Sequence, residues 1–462
     1  MTQLNAYEQF LLEAINTARL DPKGEAARLG IDLNENLAAG TISASPKDVL
    51  APSNQLWSAA RGHSNVLAQH AEVFDNVFDG DGYVHNGVGD GTPTSRIAAT
   101  GFHDTSSYIR NENVALSWAT GTPNILSMLQ QQHDGLFIDT WDAGRGHRLA
   151  MMDENVRQVG IGVTHGTLAG KTVLATTENF GRSGDTVFVT GVAFNDSDGD
   201  GRFDVGEQRS GITATATNLS GAVLGSDTTG SGGGYAIGTT GGSVKVTFTG
   251  GGLSSPVAAI AVTNGHNAKI DLVDGHEIHA SLSTQLSSGA ADLKLLGIAN
   301  ITGWGNSGAN VIEGNAGNNT LSGLSGNDTL KGLDGNDWII GGKGRDILIG
   351  GAGSDRFDYN ALSESKVSTS GRDIIRDFTK GQDKIDLSTI DGDGSGSSNA
   401  FHWIGTTQFS GEAGELRYWK ENPSGTANDK TIISADVDGD GYSDFRIELT
   451  GLVSLKAADF YL

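Results

Sequence analysis

The chain has 462 residues, 55 acidic against 31 basic side chains for a formal charge of −24, 68 glycines and no cysteine. Such a length suits about three domains, the charge argues against nucleic acid or an anionic membrane as partner, and the missing cysteines exclude disulfides and thiolate metal sites. No apolar run approaches a membrane span, and the first ten residues, MTQLNAYEQF, lack the basic and apolar regions of a signal peptide.

In chain order, residues 5–19 set Leu11, Ile15 and Ala18 on one helical face, and Asp21-Pro22 ends that helix. Residues 55–70 read as a second amphipathic helix. A Gly-rich segment, YVHNGVGDGTPTSR, follows, with Thr92 as cap and Pro93 as first residue of a third helix. Then come IRNENVALSWAT, a helical stretch from Pro123 to about Leu136, the loop WDAGRGHRLAMM, and two strands, VRQVGIGVTH and KTVLATTENF. Helices on a small sheet predict an α-β-α sandwich.

These landmarks, over roughly residues 5–181, resemble the CAP superfamily (cysteine-rich secretory, antigen-five and pathogenesis-related proteins) in a cysteine-free form. The resemblance implies a cleft of two His and two acidic side chains, which in some members holds a divalent ion. Carried over, the first His is His85 of VHNG, the first acid Glu112 of NENVA, and the second His is His147 of GRGHR. At the fourth position the family has Glu four residues before an aromatic, whereas here His133 stands four before Phe137, with Asp134 as the alternative. A cleft of His85, Glu112, His133 and His147 would suit Zn²⁺, with Glu112 as general base for a metal-bound water. His63 and His70 read as structural. No G-x-S-x-G occurs, and His276 and His279 are three apart where a zinc-protease helix needs four, so a serralysin-type protease is excluded.

From about residue 186 the pattern turns to short β runs, TVFVTGVAF, ITATATNL, GYAIG and SVKVTFTG, which predict a small β-sandwich. Within it Asp196, Asp198, Asp200, Gly201, Asp204 and Glu207 fit positions 1, 3, 5, 6, 9 and 12 of a twelve-residue Ca²⁺ loop, with Arg202 at position 7. The segment resembles the B-type repeats of bacterial surface adhesins, which are Ca²⁺-stiffened spacers.

Residues 305–358 fall into six blocks of nine, GNSGANVIE, GNAGNNTLS, GLSGNDTLK, GLDGNDWII, GGKGRDILI and GGAGSDRFD. Gly recurs at positions one and four, where positive φ permits a tight turn, and a large apolar residue recurs at position eight. One block cannot bury that residue alone, so the blocks must stack. Position six runs Asn310, Asn319, Asp328, Asp337, Asp346, Asp355. Carboxylate and carbonyl oxygens suit Ca²⁺, so metal binding becomes folding free energy. The blocks resemble the nonapeptide of RTX proteins, whose parallel β-roll holds Ca²⁺ between turns and which leave the cell by type I secretion. Asn310 and Asn319 predict weaker or absent sites at that end. Residues 372–390 and 434–451 resemble the cap of serralysin C-terminal domains, and Asp436, Asp438, Asp440, Gly441 and Asp444 follow a second Ca²⁺ loop whose position 12 is Ile447, not Glu.

The fold expected is therefore multidomain α+β: an α-β-α sandwich over 1–184, a small β-sandwich spacer over 185–284, and a Ca²⁺-binding parallel β-roll with its cap over 285–462. The protein is expected outside the cell, exported without an N-terminal signal peptide by type I secretion machinery. Its N-terminal domain would bind a lipid, envelope component or protein, or alternatively act as a Zn²⁺-dependent hydrolase.

Overall fold

The computed structural model of the protein describes residues 4–71, 85, 89–103, 111–396, 399–421 and 429–462. Of the Gly-rich segment 83–96, residues 83–84 and 86–88 lie outside the described residues. The chain divides into two units, Met1–Val257 with Ala261–Gly275, and Ala258–Ile260 with His276–Leu462.

The first unit begins with a reciprocal cap. Asn5 accepts from the N–H groups of Tyr7 and Glu8, and Glu8 accepts from the Asn5 N–H, which starts α1 (Ala6–Leu20) at a fixed residue. Asp21 caps α2 (Pro22–Arg28), with Pro at the first position, where no N–H is needed. Then follow α3 (Asn54–Gln69), α4 (Pro93–Ala99, capped by Thr92) and α5 (Ile125–Ile138, capped by Asn124). Residues 141–152 are not all loop as the sequence suggests, because Gly146–Met152 form a short helix, α6.

The sheet of this unit runs β1 (Ala51–Pro52), β3 (Gln158–Leu168), β4 (Lys171–Gly181), β2 (Asn111–Thr120). Only the β1–β3 pair is parallel. Side chains alternate along β3. Val159, Ile161 and Val163 join the main core with Leu11 and Ile15 of α1, Leu129, Leu136 and Phe137 of α5, and Met151 of α6. Gly160 and Gly162 face the other way, where a Cβ would run into the α3 backbone at Leu56 and Ala60. Glycine there is what lets α3 lie against the sheet.

The same unit contains two further β layers. Val187–Phe194 pairs with Gly234–Thr239 and with Ala268–Val273, and Ile212–Asn218 lies between Val223–Thr228 and Ser243–Gly250. These layers are packed onto α1. Phe10 of α1 sits against Val192, Phe194, Phe203 and Val273, and Glu13 of α1 pairs with buried Lys269 at 2.8 Å.

In the second unit the blocks coil with two strands per turn, eighteen residues in all. One parallel sheet stacks Leu293, Ile312, Leu330, Leu348 and Ile375, and the other stacks Leu321, Ile339, Phe357, Ile385 and Phe460. The six position-eight residues of the blocks are 0% exposed, each contributing about 1.5–3 kcal/mol of apolar burial. The ladder already includes Glu277–Ala280, paired with Asp292–Leu295. After Arg356–Asp358 the coil is interrupted by an insertion and resumes with Asp373–Ile375 and Lys384–Asp386. An antiparallel cap of Glu415–Glu421, Lys430–Asp436 and Phe445–Thr450 then joins it through Asp373–Ile375.

Candidate functional site

Inside the roll the position-six carboxylates form a ladder. Oδ1 of Asp328, Asp337, Asp346 and Asp355 accepts the N–H of Asn310, Asn319, Asp328 and Asp337 respectively, at 2.7–2.9 Å and eighteen residues apart. Oδ2 of each is buried without a partner. Leaving a buried acceptor unmade costs about 1–3 kcal/mol, more for a charged one, so a ladder of orphaned carboxylate oxygens needs a cation or a proton. Burial pushes Asp328 and Asp337 up to about 7, and Asp346 and Asp355 up to about 6.

The position-one glycines shape the same cavity. A Cβ on Gly323 would strike Asp328 Oδ2 and come within 2.6 Å of the Gly341 carbonyl oxygen, and Gly332 stands in the same relation to Asp337 Oδ2 and the Gly350 carbonyl. Carboxylate and carbonyl oxygens therefore converge where glycine leaves room, a hard-oxygen donor set that fits Ca²⁺. Positive φ is not their role, contrary to the sequence reading, for it falls on position four (Gly326, Gly335, Gly344, Gly353) and position two (Gly342, Gly351). Leu324 and Leu333 occupy position two with φ of 68° and 78°.

Sequence reasoning missed how far the ladder runs. The Asp346 N–H donates to Asp373 Oδ1 and the Asp355 N–H to Asp383 Oδ1, at 2.8 and 3.0 Å. Asp373 Oδ2 is also orphaned, and burial plus the charge of Asp346 raise Asp373 to about 9. The signal was present: each stands two residues before a buried Ile, as Asp stands before the position-eight residue in the blocks, but the insertion breaks the count of nine.

Two surface loops share one pattern. In the first, Asp196 Oδ1 and Oδ2 accept from Gly199 and Gly201, Asp198 Oδ1 accepts from Asp200, and Asp200 Oδ1 accepts from Arg202. In the second, Asp436 accepts from Gly439 and Gly441, Asp438 from Asp440, and Asp440 from Tyr442. Glu207 Oε1 closes the first loop onto the Ser197 N–H at 2.7 Å, and Asp444 Oδ2 closes the second onto Val437 at 2.7 Å. Oxygens of Asp196, Asp198 and Glu207, of Asp198, Asp200 and Asp204, and of Asp436, Asp438 and Asp444 gather within 4.8 Å. Asp440 is not in the last trio, and Asp444, at position 9, closes a loop whose position 12 is Ile447.

In the N-terminal unit, His85 and His147 stack with ring centroids 6.2 Å apart and planes 23° from parallel. Glu112 lies beside them, 3.1 Å from His85 Nδ1. Its oxygens are also held by Arg96 Nη2 at 2.8 and 2.7 Å. Such a nearly buried pair, with one nitrogen across both carboxylate oxygens, suits structure better than a base or a ligand. His147 is oriented by Asp139, whose Oδ1 meets Nδ1 at 2.7 Å while Oδ2 accepts the His147 N–H at 2.9 Å. Burial alone would lower the His147 pKa, but the hydrogen bond and charge of Asp139, with Asp142 and Glu178, raise it instead. The α5–α6 corner holds this geometry: Arg148 donates to the carbonyls of Phe137 and Ile138 at 2.6 Å, and Arg145 donates to that of Asp139 at 2.6 Å. These bonds satisfy the open C-terminus of α5.

His133 does not join this group. Its Nε2 lies 3.3 Å from Glu25 Oε1, and Asp134 pairs with Arg28 at 2.5 Å. With His133 elsewhere and Glu112 clamped by Arg96, only two imidazoles of the expected Zn²⁺ set, His85 and His147, stand together among the described residues, short of the three protein ligands a catalytic zinc needs. The four expected residues therefore do not form a Zn²⁺ site. Asp139, Arg96 and fully buried Glu178, whose Oε2 accepts from Asn113 at 3.0 Å, were missed because nothing in their local sequence marks them.

Residues 307–462 match the family model described as peptidase M10 serralysin C terminal. Among curated proteins, serralysin A and serralysin C of Dickeya chrysanthemi are 36% and 37% identical over 104 residues. The matched stretch is 22% of this chain and spans only 19% of each relative. Among solved structures, two subunits of the Azotobacter vinelandii mannuronan C5-epimerase are similar, at 30% and 28% identity and TM-scores of 0.26 and 0.25. They cover 35% and 34% of this chain and 91% and 79% of their own. The second unit thus carries a β-roll region of serralysin C-terminal type.

Proposed function

We propose that the protein is an extracellular calcium-binding effector, in which the roll folds the chain outside the cell and the N-terminal unit meets its target. The observation that carries the reading is the run of buried, unpartnered Oδ2 atoms on Asp328, Asp337, Asp346, Asp355 and Asp373. Ca²⁺ would accept these oxygens together with the glycine carbonyls around them, and the two aspartate loops would take further ions. In a low-calcium cytosol the unmet carboxylates would keep the roll open, a state suited to type I export. Extracellular calcium, near the affinity of about 10⁻⁴–10⁻³ M shared by extracellular modules, would close it.

For the N-terminal unit we retain the CAP resemblance as the working reading, with the His85–His147 cleft as a surface that binds a lipid, an envelope component or a protein. The Asp139-backed imidazole is a binding and proton-accepting group, and no nucleophile stands beside it among the described residues. Calcium binding by the full chain, counted by atomic emission after gel filtration in millimolar Ca²⁺, tests the roll. Several bound ions per chain above the calcium of the column buffer are expected, and none would refute the reading.

A further inference from the structure

We propose that the C-terminal cap carries an oxoanion-binding site formed by Arg417, Arg446, Ser443 and Trp419. The site goes beyond the calcium reading, since it would take a ligand of the opposite charge. Arg417, Ser434 and Arg446 lie in one register across the three antiparallel cap strands, so their side chains share a face, and Trp419, two residues along from Arg417, shares it too. The guanidinium carbons of Arg417 and Arg446 lie 5.3 and 5.2 Å from the Trp419 ring centroid. Stacking engages the flat face of each guanidinium and leaves N–H edges for another partner.

The partners present are few and neutral. Arg417, only 7% exposed, donates from Nη1 to Gln408 Oε1 at 2.5 Å, and its Nε is buried without a partner. Arg446 donates from Nε and Nη2 to the Ser443 hydroxyl oxygen at 3.2 and 3.0 Å. That oxygen also accepts from Ser434 at 2.6 Å, so the Ser443 O–H is not used in these bonds. Neither guanidinium has a carboxylate within ion-pair distance among the described residues, in a chain with 55 acidic side chains.

The nearby acids are engaged with other groups. Glu421 takes the Trp419 indole N–H at 3.0 Å and Lys430 at 3.3 Å, and Glu448 lies between Lys430 at 3.6 Å and Arg372 at 3.7 Å. Arg372, paired with Glu448, is itself 4% exposed with an unpartnered Nε. Arg417 and Arg446 repel each other and lose hydration, and the charge of Glu421 acts on Arg446 without forming an ion pair with it. Two guanidinium edges and a hydroxyl present the donors that recognise sulfate, phosphate or carboxylate groups.

The test uses the full chain in millimolar calcium at constant ionic strength, with the Trp419 indole and the Arg Nε–H signals followed by NMR during titration with sodium sulfate, methyl phosphate or acetate. A saturable shift is expected, and whichever anion saturates lowest separates a tetrahedral ligand from a carboxylate one. Arg417→Gln with Arg446→Gln should abolish the shift while the circular dichroism in calcium stays unchanged. Arg417→Lys with Arg446→Lys, which keeps charge and fold but loses the forked donors, should bind roughly tenfold more weakly. A linear, unsaturable response to all three anions, or an equal response in the Gln and Lys variants, would overturn the proposal.

Discussion

The backbone N–H of Asp328 donates to Oδ1 of Asp346 at 2.8 Å, one full turn of the roll further on, and Oδ2 of Asp346 is left with nothing. One carboxylate thus ties two turns with one oxygen and exposes the need for a cation with the other. Burial raises Asp328 and Asp337 to about 7, and Asp346 and Asp355 to about 6. A folded pKa above the unfolded one means stability that is present below the unfolded value and lost as pH rises through the folded values. In chelator, the full chain should therefore show more β-structure by circular dichroism near pH 5 than at about 7.5. Millimolar calcium should remove most of the difference.

The turns also touch through glycine. A Cβ at Gly344, where φ is +151°, would land on the Gly326 carbonyl oxygen, while one at Gly381, φ +80°, would meet open space. Gly381→Ala should cost only the backbone strain of about 1–2 kcal/mol. Gly344→Ala should prevent the calcium-induced change in circular dichroism, because both backbones would have to part. Equal, mild effects on the thermal midpoint would show that the turns do not pack as described.

In the cleft, Asp139 raises the His147 pKa against the opposing effect of burial. Asp139→Asn removes the charge, so the His147 pKa followed by NMR should fall below its wild-type value. The associated stability, present at low pH and lost as pH rises through the folded His pKa, should shrink with it. An unchanged titration would mean that Asp139 does not hold the ring.

Arg96 and Glu112 are matched charges with side chains 6% and 1% exposed. Arg96→Met strands a buried carboxylate and should cost about 3–5 kcal/mol in unfolding of the first unit. The double variant with Glu112→Leu should recover much of that loss. A double variant as unstable as the single one would show that the pair is not coupled.

The repeating parts of the fold were legible because periodicity is a local signal: nine-residue spacing marks the roll, and Thr92 with Pro93 marks a helix start, whereas Asp21-Pro22, read as the end of α1, also begins α2. What escaped was brought together by distance in the chain. His133 carries the spacing of a cleft residue, yet its ring turns to Glu25 on α2. Arg96 lies outside any motif and reaches Glu112 across sixteen residues. The segment taken for a spacer packs its Phe203 and Lys269 against α1, a relation that no pattern in 185–284 encodes. Asp444 closes its loop from position 9, where only position 12 was expected to do so.

Far-UV circular dichroism of the full chain, titrated with calcium from a chelated start, bears on the roll's carboxylate ladder more directly than any other measurement. A cooperative gain of β signal is predicted at about 10⁻⁴–10⁻³ M calcium, with the midpoint moved to higher calcium by Asp346→Asn. Identical spectra in chelator and in millimolar calcium would contradict it.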